Sequence, residues 1–252
     1  MITKWQLHKM ELAMAFAGYR LRFIAFCSTL LLFTSLSGCG SMPKPVRNLG
    51  KTDVDFVMDV HVREQKALLM ELTRKLYVRN PEQLRKIEGM TLEDRMLQIF
   101  GRPGELESQP LLFAELGGKT SIDAILLAFD ESYQGDRVFA AVVGLAEMLR
   151  RSYNHQQEFF ILDSLDEQSL YNSARNIEIF VWRIYHRRNS QGELYLLSNH
   201  YSDNEFDISF DRIFSKMVSI QDMMALIVAD KTDRSITKVA QGVAQFVFLP
   251  VP

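Results

Sequence analysis

The sequence predicts a mostly α-helical domain. Three observations carry that reading. Apolar residues recur at three- and four-residue spacing through most of the chain beyond residue 53, cap-forming Ser, Thr or Asp residues stand ahead of those runs, and Gly and Pro gather between them. From Asp53 to Tyr77 the positions Val54, Val57, Leu68, Leu72 and Leu76 keep a helical period, with His61 on the same stripe. Asn80-Pro81 breaks it, and Pro81 is placed to open a short helix through Ile87. Thr91 with Asp94 forms a capping-box pattern ahead of Leu92–Phe100, and Gly101-Arg102-Pro103-Gly104 ends that helix. A short segment, Leu111 to Leu116, stops at Gly117-Gly118.

Thr120 with Asp123 predicts a helix over Ser121–Phe129, and Asp136 caps Arg137–Arg151. The second of these is apolar on nearly every side, which marks it as the central helix of the core. Ala140 and Gly144 leave room on it for a close neighbour. Ser164 with Glu167 reads as a capping box for a helix with the face Leu170, Ala174, Ile177, Val181 and Ile184. Residues 177–198 also admit a short β-hairpin, turning at Asn189 to Gly192; the cap and the longer period favour helix. Ile208–Met217 and Ile220–Val228 read as two helices separated by a cap at Ser219 with Asp222. Ile236, Val239, Ala240, Val243 and Val247 give a last amphipathic helix.

The first 38 residues belong to a different kind of segment. Arg20 and Arg22 precede an apolar run from Phe23 to Leu36, which ends in Leu36-Ser37-Gly38-Cys39. That run is too short to span about 30 Å of hydrocarbon as a helix, and its basic flank and small-residue exit are those of a targeting segment. The pattern resembles a bacterial lipoprotein export signal. The resemblance implies cleavage before Cys39, with the new terminal cysteine carrying the lipid (palmitate included). Gly40, where an inner-membrane lipoprotein tends to have Asp, implies an outer-membrane location with the domain in the periplasm. Met14 would begin a signal of more typical length. The resemblance covers residues 14–40; no family resemblance extends to the rest.

The expected organisation is therefore a signal peptide over 1–38, an acylated Cys39 and flexible tether over 39–52, and a single helical domain over 53–252. Residues 40–52 contain two Pro and two Gly and reach at most about 43 Å when extended. The whole chain carries 29 Lys plus Arg against 31 Asp plus Glu; without Lys4, Lys9, Arg20, Arg22 and Glu11, 25 basic and 30 acidic residues remain, a formal charge of −5. That balance argues against a nucleic-acid partner, for which a basic surface supplies most of the affinity. Of two cysteines, Cys27 leaves with the signal, so no internal disulfide is expected and the core must hold the fold.

Gly117-Gly118-Lys119-Thr120 resembles half of a phosphate-binding loop, but Phe113 stands where that loop needs its first glycine, so no nucleotide site is expected. Asp55, Asp59, His61 and Glu64 are the densest set of metal-ligand types, without a His-Glu-x-x-His spacing; a partly buried structural His61 is the favoured reading and no metal is expected. His155, His186 or His200 would need Asp163, Ser164 or Asp203 brought close to make a hydrolase, and no Gly-x-Ser-x-Gly elbow is present. No catalytic residue, and no cofactor, is assigned.

The candidate interaction residues lie elsewhere. Arg150-Arg151 and the group Arg183, His186, Arg187 and Arg188 gather at predicted helix ends, where cations are favoured electrostatically, and Trp182 lies within the second group. Phe246 and Phe248 belong to an uncharged terminal stretch that either closes the core or forms an exposed apolar contact. The leading expectation is an outer-membrane lipoprotein of the cell envelope, held by its N-terminal lipid. It would serve as an accessory or assembly subunit that binds an envelope protein, and a non-enzymatic role is favoured. An envelope hydrolase with a histidine–carboxylate site is the alternative, and a lipid carrier with an apolar cavity is a third.

Overall fold

The computed structural model describes residues 50–102, 110–202, 205–237 and 247–252. Seven helices account for most of them: α1 (Asp53–Arg79), α2 (Pro81–Leu84), α3 (Leu92–Phe100), α4 (Ser121–Ala128), α5 (Arg137–Ser152), α6 (Glu167–His186) and α7 (Ser209–Thr232). A 3-10 turn over Ala114–Leu116 precedes α4, and a two-stranded antiparallel hairpin, β1 (His200–Ser202) with β2 (Glu205–Asp207), precedes α7. The mostly α-helical class is as expected.

α1 begins where Thr52 accepts the backbone N–H of Asp55 and Asp55 reciprocates at the Thr52 N–H, a capping box that satisfies two of the helix's orphan donors. The 27-residue helix runs about 40 Å. Its inward face is Met58, Gln65, Leu68, Leu69, Leu72, Thr73, Leu76 and Tyr77. Val57, expected on that stripe, is 41% exposed, because Met58 takes the inward position of that turn. The Thr91–Asp94 box and the Asp136 cap form as the sequence predicts. Gly117 sits in the left-handed region at φ 62° and closes the 3-10 turn.

α7 lies antiparallel to both α1 and α6. Lys75 reaches Ser209, Gln65 donates to the Met217 carbonyl and Lys231 pairs with Asp55, while Tyr185 meets Asp211 and Arg175 meets Asp222. α4 packs along α5, and there Gly144 is required. A Cβ on it would lie 2.6 Å from the Ile125 backbone nitrogen and 2.7 Å from the Ser121 carbonyl oxygen.

The interior has two apolar clusters. The larger joins α1, α3, α4, α5 and the facing halves of α6 and α7. The smaller, built on Met58, Tyr153, Phe159, Leu165, Leu170, Met224, Ala225 and Val228, lies toward the start of α1. Between them sits a buried polar layer. The Gln221 amide donates to Ser152 Oγ (3.0 Å) and Ser173 Oγ (2.5 Å), and its oxygen accepts the Tyr153 hydroxyl. Each polar group in it is matched by another, as burial of such groups demands.

Three expectations need correction, and one alternative is decided. α7 is continuous: Ser219 donates to the Ser215 carbonyl one turn back, so it does not cap a new helix. α6 is capped by Asp166, whose carboxylate accepts the Ser169 N–H, and Ser164 lies outside it. Thr120 makes no side-chain cap bond to α4. Residues 177–186 are helical; of the alternative hairpin, only the turn survives, with a single bridge between Arg188 and Leu194. The predicted terminal helix falls largely on residues 238–246, outside the described residues, and 234–237 and 247–252 have no regular structure.

Candidate functional site

A cleft of about 940 Å³ opens between α2, the loop from Glu131 to Gln134 and the turn at 188–197. Its floor is fixed by two side chains. Asn80 caps the end of α1 and pairs with both backbone groups of Leu197, donating to its carbonyl at 2.9 Å and accepting its N–H at 2.7 Å. Arg137 donates to three carbonyls, Ala128 (2.9 Å), Asp130 (2.7 Å) and Tyr133 (2.6 Å), and lies 4.7 Å from the Tyr195 ring centroid. Gln83 joins them by accepting the Arg137 N–H at 2.9 Å. These groups are occupied, so they set the shape of the cleft.

The rim carries the accessible charge. Glu82, Glu131, Arg188 and Glu193 are exposed there. Asn189 accepts the N–H groups of Gln191 (3.0 Å) and Glu193 (2.8 Å), and Gly192 at φ 80° completes the turn. Arg188 donates to the Gly192 carbonyl at 2.8 Å, and Glu131 accepts the Ser190 N–H at 3.0 Å; the Ser190 hydroxyl first and its N–H second hold that carboxyl below its ordinary range. A polar floor with a rim of mixed sign suits a ligand rich in amides and charges, held by hydrogen bonds at a wet surface.

No family model, curated protein or solved structure matches the chain. The chemistry of the site therefore rests on its own residues.

Of the residues singled out in the sequence, Arg188 lies on this cleft. Arg183 is half-buried with its guanidinium 5.0 Å from the Phe248 ring centroid, so these two contact one another. Arg187 is exposed at the end of α6, and Phe246 lies outside the described residues. Around Phe248 the chain is pinned to α6: Asn176 pairs with both backbone groups of Leu249 (2.8 and 2.7 Å), and Asn172 donates to the Pro250 carbonyl at 2.9 Å. Val251 is buried in the larger cluster.

The histidines and carboxylates have separate surroundings. His155 faces the fully buried Glu147 at 3.6 Å; burial pushes its pKa down and Glu147 opposes the shift. His186 stacks on Trp182 and meets its carbonyl at 2.8 Å. Asp163 accepts the Phe160 N–H, and the Ser164 carbonyl accepts the Asn154 amide. The side chain of His200 and all of Asp203 lie outside the described residues.

Asp55 and Asp59 are engaged with Lys231 and Lys51, and the His61 ring faces Met224. Among the described residues no three His, Cys, Asp or Glu side chains converge as a metal site, and no helix is long and apolar enough to cross a membrane. A further network runs from the fully buried Arg95 and Asp136 out to the exposed Glu115. Arg95 forks onto Glu115 (2.9 and 2.5 Å), lies 3.3 Å from Asp136, and stacks 3.8 Å from the Phe139 ring centroid, while Tyr77 donates to Asp136 at 2.7 Å.

Proposed function

We propose that the protein is an outer-membrane lipoprotein, acylated at Cys39, whose periplasmic helical domain binds a polypeptide partner as an accessory subunit of an envelope complex. The observation that carries the binding role is the cleft. Its floor is preorganised by Asn80, Gln83 and Arg137, and its rim presents three carboxylates and a guanidinium. Such a surface favours an extended polar segment of another protein. A lipid carrier would need an apolar cavity, whereas this cleft sets charged and amide side chains beside Leu194, Tyr195 and Leu197. For the hydrolase alternative, His155 faces Glu147, His186 stacks on Trp182, and the His200 side chain lies outside the described residues. The membrane attachment rests on the Leu36–Cys39 pattern and on the folded unit starting at Gly50, within tether reach of that cysteine.

Two measurements test the two halves. Cys39→Ala should release the protein from the membrane or mislocalise it; unchanged membrane association and localisation would remove the lipoprotein reading. A photo-crosslinking residue at Gln191, on the cleft rim, should give a discrete adduct in intact cells, while one at Arg74, on the exposed face of α1, should not. Equal labelling at both positions, or none at Gln191, would remove the cleft as the binding surface.

A further inference from the structure

The end of the domain at which the chain enters carries an apolar surface that the cleft does not use. Phe160 to Asp163 form a tight turn: the Asp163 N–H donates to the Phe160 carbonyl at 2.8 Å, and the Asp163 carboxylate accepts the Phe160 N–H at 2.8 Å. Turn centres ordinarily hold Gly, Pro, Asn, Asp or Ser. Here they are Ile161 and Leu162, 60% and 93% exposed. Phe160 stands beside them, and Phe56, Val57 and Val60 on the first turns of α1 are also exposed. Spaced at three and four residues, those three share one face of the helix.

The turn is bolted to α1. The Phe159 N–H donates to Asp59 at 2.8 Å, Asp59 pairs with Lys51, and the Lys51 ammonium lies 4.9 Å from the Phe160 ring centroid and 5.7 Å from that of Phe56. Lys51 is thus paired with Asp59, while the Asp163 carboxylate, held by the N–H it accepts, and the exposed Asp53 keep their charge at the edge of the patch. What projects is a rigid hydrocarbon tip.

The position of this tip identifies its occupant. The Ile161 N–H donates to the Gly50 carbonyl at 2.9 Å, so the turn is hydrogen-bonded to the first residue of the folded unit. Between Cys39 and Gly50 the chain extends at most about 36 Å, and every shorter conformation brings the turn nearer to whatever holds the cysteine. We infer that Phe56, Val60, Phe160, Ile161 and Leu162 form a foot that inserts into the interfacial layer of the phospholipid surface bearing the Cys39 lipid. A lipid chain plus a second membrane contact holds a protein far more firmly than either alone. The foot also fixes which way the domain faces, with the far end of α1 pointing away from the bilayer. This inference rests on the lipoprotein reading.

The test uses the mature acylated protein in vesicles of phosphatidylethanolamine and phosphatidylglycerol, with Trp182→Phe as background. Leu162→Trp should emit at shorter wavelength on vesicles than in detergent-free buffer after lipid removal, and should be quenched by phospholipids brominated at shallow acyl positions. Val78→Trp places the probe 22 residues further along α1, about 33 Å away, at a site 76% exposed; it should show neither effect. Equal, water-like emission at both positions on vesicle-bound protein would overturn the foot while leaving acylation standing. Loss of vesicle binding with Cys39 shown by mass to be unmodified would overturn the lipoprotein reading itself. If Leu162→Cys instead forms a concentration-dependent disulfide-linked dimer on vesicles and Leu162→Trp stays unquenched, a second copy of the chain is the occupant and the lipid assignment fails.

Discussion

Gly144→Ala adds one methyl to the central helix, and two effects of opposite sign meet there. Replacing a mid-helix glycine ordinarily stabilises by about 1 kcal/mol, through reduced freedom of the unfolded chain. Here the new carbon would lie 2.6 Å from the Ile125 nitrogen, 2.6 Å from its Cγ1 and 2.7 Å from the Ser121 oxygen. Two of those three atoms are backbone, so a rotamer change cannot clear them. Comfortable contact for carbon is about 3.5 Å, so α4 must retreat by about 1 Å along its packed face. Ala124, Ile125 and Ala128, all fully buried, would lose contact with α5 together. Overpacking of this kind costs about 1–3 kcal/mol. With α4 displaced as a unit we expect the upper part of that range, leaving a net loss of about 2 kcal/mol after the helix-propensity gain.

For a domain of this size that loss lowers Tm by about 4–8 °C, readable by circular dichroism or by the urea midpoint. Adding Ile125→Val should recover little, because it removes side chain only. Gly192→Ala is the comparison: its φ of 80° is unfavourable but nothing lies within 4 Å, so only about 1 kcal/mol should be lost. A Gly144→Ala protein as stable as the parent, or one rescued fully by Ile125→Val, would refute the argument.

Two further outcomes follow from the interior. Gln221→Leu strands the Tyr153 hydroxyl, which donates to Gln221, while Ser152 and Ser173 keep their donor bonds to the Leu149 and Leu170 carbonyls and lose only an accepted N–H; at about 1–3 kcal/mol for a stranded group, the urea midpoint should fall by the equivalent of about 2 kcal/mol. His61 is held below its ordinary value of 6.5 by burial. The folded form therefore binds fewer protons than the unfolded chain, and stability is lost as pH falls through about 6.5. His155 is shifted the same way, so His61→Gln should reduce the fall in urea midpoint between pH 7.5 and 5.5, and adding His155→Gln should reduce it further. An unchanged slope in His61→Gln would mean its ring is not protected from protonation.

The helix class was legible because local signals and packing agree through most of the chain. Thr91 with Asp94 and the Gly101 stop set both ends of α3 at Leu92 and Phe100, since the bounds of so short a helix are governed by its caps. α7 went the other way. Ser219 with Asp222 has the local grammar of a new start, but Gln221, Met224 and Ala225 must stay in register with the residues before the break to reach α1 and α6. Tertiary burial outweighed a cap worth about 1 kcal/mol. At α6 two overlapping patterns compete, and Asp166, one residue from the helix, took the role assigned to Ser164.

The cleft was nearly invisible for another reason. Its walls come from residues 80–83, 131–137 and 188–197, and no local spacing records that these meet. The turn at Asn189–Gly192 and the break at Asn80-Pro81 were the available hints. Arg137 offered none, because a guanidinium bound to three carbonyls looks in sequence like any surface arginine.

The fastening of the chain at Gly50 has a mechanical consequence. Any pull transmitted through the residues ahead of it arrives first at the Ile161–Gly50 hydrogen bond, the Lys51–Asp59 pair and the Thr52–Asp55 cap, and then at the Asp55–Lys231 pair that ties the first turn of α1 to the last turn of α7. α1 and α7 are antiparallel, so load drawn along α1 shears the long contact between them, and its resistance is shared over several turns. Load at right angles would open the same fasteners one after another. The domain is thus built to hold under tension along one axis and to yield along the other.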